Sequence, residues 1–304
     1  MNLLPIDGVL LLYNAALIVV WLPLALETGG GIARWMIAIH LVGLCLPVLL
    51  GRAGALRGWV AVLRELYPAL WLLVFWRELG IHCALVGSAM NDALLAAFDH
   101  AFFTVNLNAV WAPLMPAAWF SELMQGVYFG YYLSFFLLVV YLFSRRQRSV
   151  TRDTLLRVGI TYAAAYLLYA SAPTVGPMAM AEFPRFAGPG AGGVFRALND
   201  WLQANGDAAG TAFPSTHVAG AITLAWLGWR HCPRWCAWLL TFLAILVGPA
   251  TVYTQNHFVL DAVTGAILGL VLQGLVVPAL ETERPALRLK LPAFGLPRAG
   301  AEAA

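Results

Sequence analysis

Two short polar stretches carry the residues whose types and spacing could do chemistry. Residues 210–217 read Gly-Thr-Ala-Phe-Pro-Ser-Thr-His, and residues 251–261 read Thr-Val-Tyr-Thr-Gln-Asn-His-Phe-Val-Leu-Asp. His257 and Asp261 are four apart, so on one helix they share a face. The carboxylate can then accept a hydrogen bond from one imidazole nitrogen while the other nitrogen faces a substrate. Such a carboxylate fixes the tautomer and stabilises the imidazolium. An imidazole that titrates near neutral pH can also serve as acid and base in turn. Each stretch opens an apolar run long enough to cross a bilayer, which puts His217 and His257 near helix N-termini. Free N–H groups and the positive end of the macrodipole favour an anion such as phosphate there.

Other chemistries fit less well. Ser215 and His217 are two apart and would diverge on a helix, which removes a serine hydrolase reading. His217, His257 and Asp261 match a zinc site in ligand type and number. The Gly, Ser, Thr and Asn around them look like groups that cradle phosphate rather than groups that support metal ligands, so no metal is expected. Cys45, Cys83, Cys232 and Cys236 form no Cys-x-x-Cys pair and read as small buried hydrophobes. His40 reads as a hydrogen-bonding residue between packed helices, Glu122 as an acid complementing the dipole of its own helix, and Arg77 with Glu78 as a membrane boundary. The aromatic run 128–136 reads as lipid-facing or packed between helices.

The elements that position these residues are membrane helices. With 61% hydrophobic and 11% charged residues and a mean hydropathy of +0.77, the 304-residue chain cannot cover itself with polar surface. The net charge is only +3 and Lys290 is the sole lysine, which argues against nucleic acid as a partner. Apolar runs at about 9–26, 33–51, 60–79, 122–143, 154–172, 213–230, 234–253 and 258–280 predict an all-α bundle of about eight transmembrane helices. The first run lacks the basic flank and cleavage site of a signal peptide and ends in a tight loop, 27–31. Arginines cluster after the second, fourth and sixth runs and, with Lys290, after the eighth. Alternating helices would place these on one, cytoplasmic face and both polar stretches on the other. A bacterial inner-membrane protein with both termini cytoplasmic and a periplasmic active site is expected.

Two longer segments on the active face, 80–121 and 173–210, carry short amphipathic patterns around Leu94, Leu95, Phe98 and Phe102 and around 195–202. These predict interfacial helices with Trp anchors, able to roof a lipid headgroup. The expected organisation is two N-terminal helices in 1–57, a catalytic membrane domain in 58–281 and a disordered cytoplasmic tail in 282–304.

These residues resemble the type 2 phosphatidic acid phosphatase (PAP2) superfamily. Residues 213–217 look like its Pro-Ser-x-His motif, and His257-x-x-x-Asp261 resembles its last motif. The wording of 254–265 is similar to the branch containing the fungal inositol phosphorylceramide synthases and their bacterial relatives. The segment 169–177, Tyr-Ala-Ser-Ala-Pro-Thr-Val-Gly-Pro, resembles that branch's Pro-rich segment, and Glu122 to Tyr128 with Tyr131 and Tyr132 its earlier membrane motif. The resemblance implies a six-helix catalytic core and phosphoryl transfer through histidine without metal or cofactor. His257 would be the nucleophile, Asp261 would orient it, and His217 would protonate the leaving oxygen. The implied partners are a membrane lipid bearing a phosphate or phosphodiester headgroup, and water or an alcohol acceptor. The superfamily's Lys-containing first motif is missing, and the position of its Arg six residues before the nucleophile is Thr251. Ser215, Thr216, Asn256, Gly176 and Arg185, with Arg196 as a further guanidinium, are the groups expected to bind the phosphoryl oxygens instead. A non-catalytic lipid-binding or lipid-translocating protein with the same fold is the alternative.

Overall fold

The computed structural model describes residues 3–27, 31–52, 58–188 and 191–282. The loop expected at 27–31 lies partly outside these residues, and the tail expected at 282–304 almost wholly. Among the described residues twelve α-helices follow one another: α1 (Pro5–Glu27), α2 (Gly31–Arg52), α3 (Gly58–Val86), α4 (Ala89–Phe103), α5 (Leu107–Leu114), α6 (Ala118–Ser144), α7 (Arg148–Ser171), α8 (Val194–Gly206), α9 (Thr216–His231), α10 (Arg234–Tyr253), α11 (Val259–Val271) and α12 (Val277–Thr282). A π segment, Leu272–Val276, joins the last two, and a 3-10 turn, Pro177–Ala179, precedes α8. Among the described residues the only extended pairing is an isolated parallel bridge between Thr174 and Thr211.

All eight expected runs form helices, but among the described residues only six spans are long and apolar enough to cross a membrane: α1, α2, α3, α6, α10 and α11 with its continuation. The pair α4 and α5, bent by 60°, makes a seventh if it is one broken span. The two runs that fall short became α7 and α9, the middle of the bundle. At 16 residues α9 is only about 24 Å long, and α7 carries Arg148, Arg152, Asp153 and Arg157. The physical reason is enclosure. α7 packs against α1, α3, α6 and α9, and α9 against α6, α7, α10 and α11. Neither must present a wholly apolar surface to lipid, and neighbours satisfy their polar groups.

Ion pairs gather one end of the bundle. Arg64 on α3 pairs with Asp7 on α1, and Arg152 on α7 with Glu65 on α3. Arg157 and Arg230 both reach Asp153, and Arg157 also lies 3.5 Å from Glu281 on α12. The starts of α1, α3 and α7 therefore lie with the ends of α9 and α12. The starts of α9 and α11, which hold the two histidine motifs, lie at the opposite end.

Glu78 corrects one expectation. Rather than marking a membrane boundary, it is 3% exposed and accepts hydrogen bonds from Trp21 Nε1 and, at 2.7 Å, from His40 Nε2. His40 does join packed helices as its sequence context predicts, with Nδ1 3.0 Å from Asn14 Oδ1. The α4 segment is amphipathic as predicted, with Leu94, Phe98 and Phe102 exposed. Its buried side, however, holds two acids, Asp92 and Asp99.

Candidate active site

The start of α9 is built by Ser215. Its hydroxyl accepts from Val218 N at 3.5 Å as the N-cap, and its own N–H donates to Asp261 O at 2.9 Å. The second bond ties the start of α9 to the first turn of α11. Their approach requires Gly265, because a Cβ there would lie 2.4 Å from Ser215 O. His217 is the second residue of α9 and so stands at the edge of this junction.

The second motif is arranged differently from its prediction. His257 is not on a helix with Asp261: α11 begins at Val259, after Phe258 as N-cap. Asp261 is the third residue of α11 and reaches back over the cap. Its Oδ2 accepts Phe258 N at 2.8 Å and lies 3.3 Å from His257 Nδ1. The i to i+4 spacing works here through N-terminal capping geometry, in which an acid at the third position returns to the chain before the helix. The preceding turn is closed by the Thr251 carbonyl, which accepts Asn256 N at 3.0 Å and His257 N at 3.2 Å. Gln255 takes the left-handed conformation needed there, with φ +63.

The two histidines meet. His217 Nδ1 lies 3.3 Å from His257 Nε2, and His217 Nε2 lies 2.8 Å from the Tyr132 hydroxyl. Tyr128 stacks on the His217 ring with centroids 4.6 Å apart, and Tyr131 packs at 5.1 Å. Part of the aromatic run is thus a buried wall around His217 rather than a lipid-facing surface. The hydrogen-bond chain assigns the protons. With a carboxylate at Asp261, His257 Nδ1 carries a hydrogen and Nε2 has a free lone pair. His217 Nδ1 must then donate to that lone pair, and the Tyr132 hydroxyl donates to His217 Nε2. The order Asp261, His257, His217, Tyr132 is a line rather than a cluster around one point. Among the described residues no group of three His, Cys, Asp or Glu could hold a metal ion.

The other expected site residues surround this line but are engaged in building it. Thr216 Oγ1 accepts from Tyr169 OH at 3.1 Å. Asn256 Oδ1 accepts from Gln203 on α8 at 2.6 Å, and its Nδ2 donates to Thr254 Oγ1 at 2.7 Å. Gly176 has φ +79 and lies beneath Asn256, whose carbonyl oxygen would be 2.7 Å from a Cβ. Arg185 bonds to Asp200 and not to either histidine.

Three acids that support the site were missed or misread in the sequence. Asp99 caps the helix that follows His257, accepting Val259 N at 2.7 Å and Leu260 N at 3.2 Å. Asp92 accepts Val175 N and Gly176 N, both at 3.0 Å. Their spacing of seven puts both on one side of α4, opposite Leu94 and Phe98, and that pattern was the available signal. Glu122 does complement a helix dipole, but that of α8, through Val194 N at 3.1 Å and Phe195 N at 3.3 Å.

A family model described as PAP2 superfamily matches residues 93–275, from the second turn of α4 to the π segment. No curated protein and no solved structure gives a significant match. The matched span contains every residue of the line from Asp261 to Tyr132 and more than half of the chain, so this integral membrane protein belongs to the PAP2 superfamily.

Proposed function

We propose that this protein is a lipid phosphatase or phospho-headgroup transferase that works through a phosphohistidine on His257. The observation that carries the reading is the 3.3 Å approach of His217 Nδ1 to His257 Nε2, with Asp261 behind the second ring. The superfamily's general chemistry on lipid phosphates supports the same class.

In the first half-reaction the His257 Nε2 lone pair attacks phosphorus as the phosphoryl group enters between the rings. The P–O bond to the lipid breaks, and His217 in its imidazolium form gives the leaving oxygen a proton from Nδ1. Asp261 holds His257 in the Nδ1–H tautomer and stabilises the positive charge that develops on it. In the second half-reaction His217 takes a proton from water or an acceptor alcohol. The oxygen attacks phosphorus, the N–P bond breaks, and His257 is restored. The Tyr132 hydroxyl serves both half-reactions, because the ring keeps Nε2–H while Nδ1 gives and regains its proton, and the hydroxyl accepts from Nε2–H throughout. No metal takes part in these steps.

The arginine-rich end of the bundle faces the cytoplasm in this reading, by the positive-inside rule, and the histidines face the opposite side. The substrate is a membrane lipid with a phosphate or phosphodiester headgroup. The wording of residues 254–265 favours transfer to an acceptor, as in the inositolphosphotransferase branch. The test is phosphate release from short-chain lipid phosphates by detergent-solubilised protein. Wild type should be active and His257→Ala inactive, while headgroup transfer should appear when an acceptor alcohol is added. Equal activity, or equal inactivity across a broad lipid panel, would favour a non-catalytic lipid-binding or lipid-translocating role instead.

A further inference from the structure

Side chains on α6 and α8 tie the two catalytic rings together from behind. α6 supplies Gln125 and Tyr132, seven residues apart and therefore on one side of that helix. α8 supplies Asn199 and Gln203, four apart and likewise on one side. Asn199 Nδ2 donates to the Gln125 carbonyl oxygen at 2.9 Å and to Gln125 Oε1 at 2.8 Å. Gln203 Nε2 donates to Asn256 Oδ1 at 2.6 Å, and Asn256 immediately precedes His257.

Two routes therefore connect the rings. The direct one is the 3.3 Å contact of His217 Nδ1 with His257 Nε2. The indirect one leaves His217 Nε2 through Tyr132 at 2.8 Å, follows α6 to Gln125 and crosses to Asn199. It then follows α8 to Gln203 and returns through Asn256 to His257. Together they close a circuit.

The indirect route has little slack. Asn199 is 1% and Gln125 5% exposed, so water does not compete for their bond. α8 is pinned at both ends as well: Glu122 on α6 accepts Val194 N at 3.1 Å, and Trp76 on α3 donates to the Gly206 carbonyl at 2.8 Å. Asn256 is gripped in turn, with Nδ2 on Thr254 Oγ1, its N–H on the Thr251 carbonyl and its own carbonyl over Gly176. A shift of α8 against α6 is thus passed to the residue before the nucleophile.

We infer that Asn199 and Gln203 are positioning residues, which make α8 a strut that sets the approach of His217 and His257 to a common phosphorus. The inference rests on the catalytic reading above. Asn199 acts through Gln125 and Gln203 through Asn256, so their effect is on alignment, which governs kcat.

Gln203→Ala and Asn199→Ala should each lower kcat for a short-chain lipid phosphate by roughly 2- to 10-fold, the worth of one neutral hydrogen bond, with KM unchanged. The double variant should be no slower than the slower single variant, because a circuit opened once is already open. Unchanged kcat, losses that multiply, or a change confined to KM overturns the strut. If wild type turns over no lipid phosphate, the catalytic reading fails separately, and the reactivity of the rings decides the strut. Diethyl pyrocarbonate attacks an unprotonated ring nitrogen, and His217 covers that nitrogen of His257. Peptide mapping should find His257 modified faster in Gln203→Ala than in wild type, while His40, buried between α1 and α2, keeps its wild-type rate. An equal rate at His257, or an equal acceleration at His40, overturns it. If Gln203→Ala cannot be recovered folded, Asn199→Ala carries the same comparison.

Discussion

The Tyr132 hydroxyl sits 2.8 Å from His217 Nε2, on the side of the ring away from His257. Removing it leaves a ring nitrogen of His217 without its partner and lets the ring adopt either tautomer. The imidazolium loses more than the neutral ring, because hydrogen bonds to charged groups are the stronger ones. Tyr132→Phe should lower kcat by roughly 10-fold. The alkaline limb of the kcat–pH profile should move to lower pH, because the acid form of His217 is depleted sooner. A lowered rate with an unmoved profile would make Tyr132 only a packing residue.

Asp99 holds the first turn of α11 through two backbone N–H groups from a helix 160 residues earlier. Asp99→Ala strands both donors in a buried site. It should destabilise the protein by about 1–3 kcal/mol and reduce kcat more than KM, since His257 and Asp261 flank that turn. Thermal unfolding and steady-state kinetics of Asp99→Ala and Asp99→Asn check this. The Asn variant, which keeps an acceptor oxygen, should retain part of both losses.

Gly265→Ala would force α9 and α11 apart, because its Cβ would sit 2.4 Å from Ser215 O, a backbone atom. The expected cost is about 1–3 kcal/mol of stability, with loss of activity as the two histidines separate. Gly8→Ala, where nothing lies within 4 Å of the added Cβ, is the control that should behave as wild type.

Chelation should leave the rate unchanged, since the proposed proton and phosphoryl transfers run along the line from Asp261 to Tyr132. Activity is to be measured before and after EDTA treatment and dialysis. Loss on chelation with recovery on added zinc would count against the histidine-only account.

How much of this was legible in the sequence depended on the range of each contact. His217, His257 and Asp261 stood out because polar groups in an oily chain are costly and their spacing is local. The helices stood out because lipid-facing surfaces demand long apolar runs. What the sequence obscured was the partner of each group. Asp92 and Asp99 lie on the polar side of a segment whose pattern predicts an interfacial helix, but they serve backbone N–H groups brought near only by folding. Tyr132 lay in an aromatic run indistinguishable from helix packing. Glu78 resembled a boundary charge until α1 and α2 supplied Trp21 and His40. The middle helices α7 and α9 read as ordinary spans because periodicity does not reveal which helix the others enclose. Even the His257 and Asp261 contact, right in its partners, arises from a cap rather than a shared helix face.

The central claim is that phosphorus becomes bonded to His257 Nε2. Rapid quenching of the protein with a short-chain lipid labelled in its phosphate, followed by peptide mapping, tests it most directly. The account predicts label on the His257 peptide, absent from His257→Ala. Continued turnover with no label on that peptide, or equal labelling of the His257→Ala variant, would contradict it.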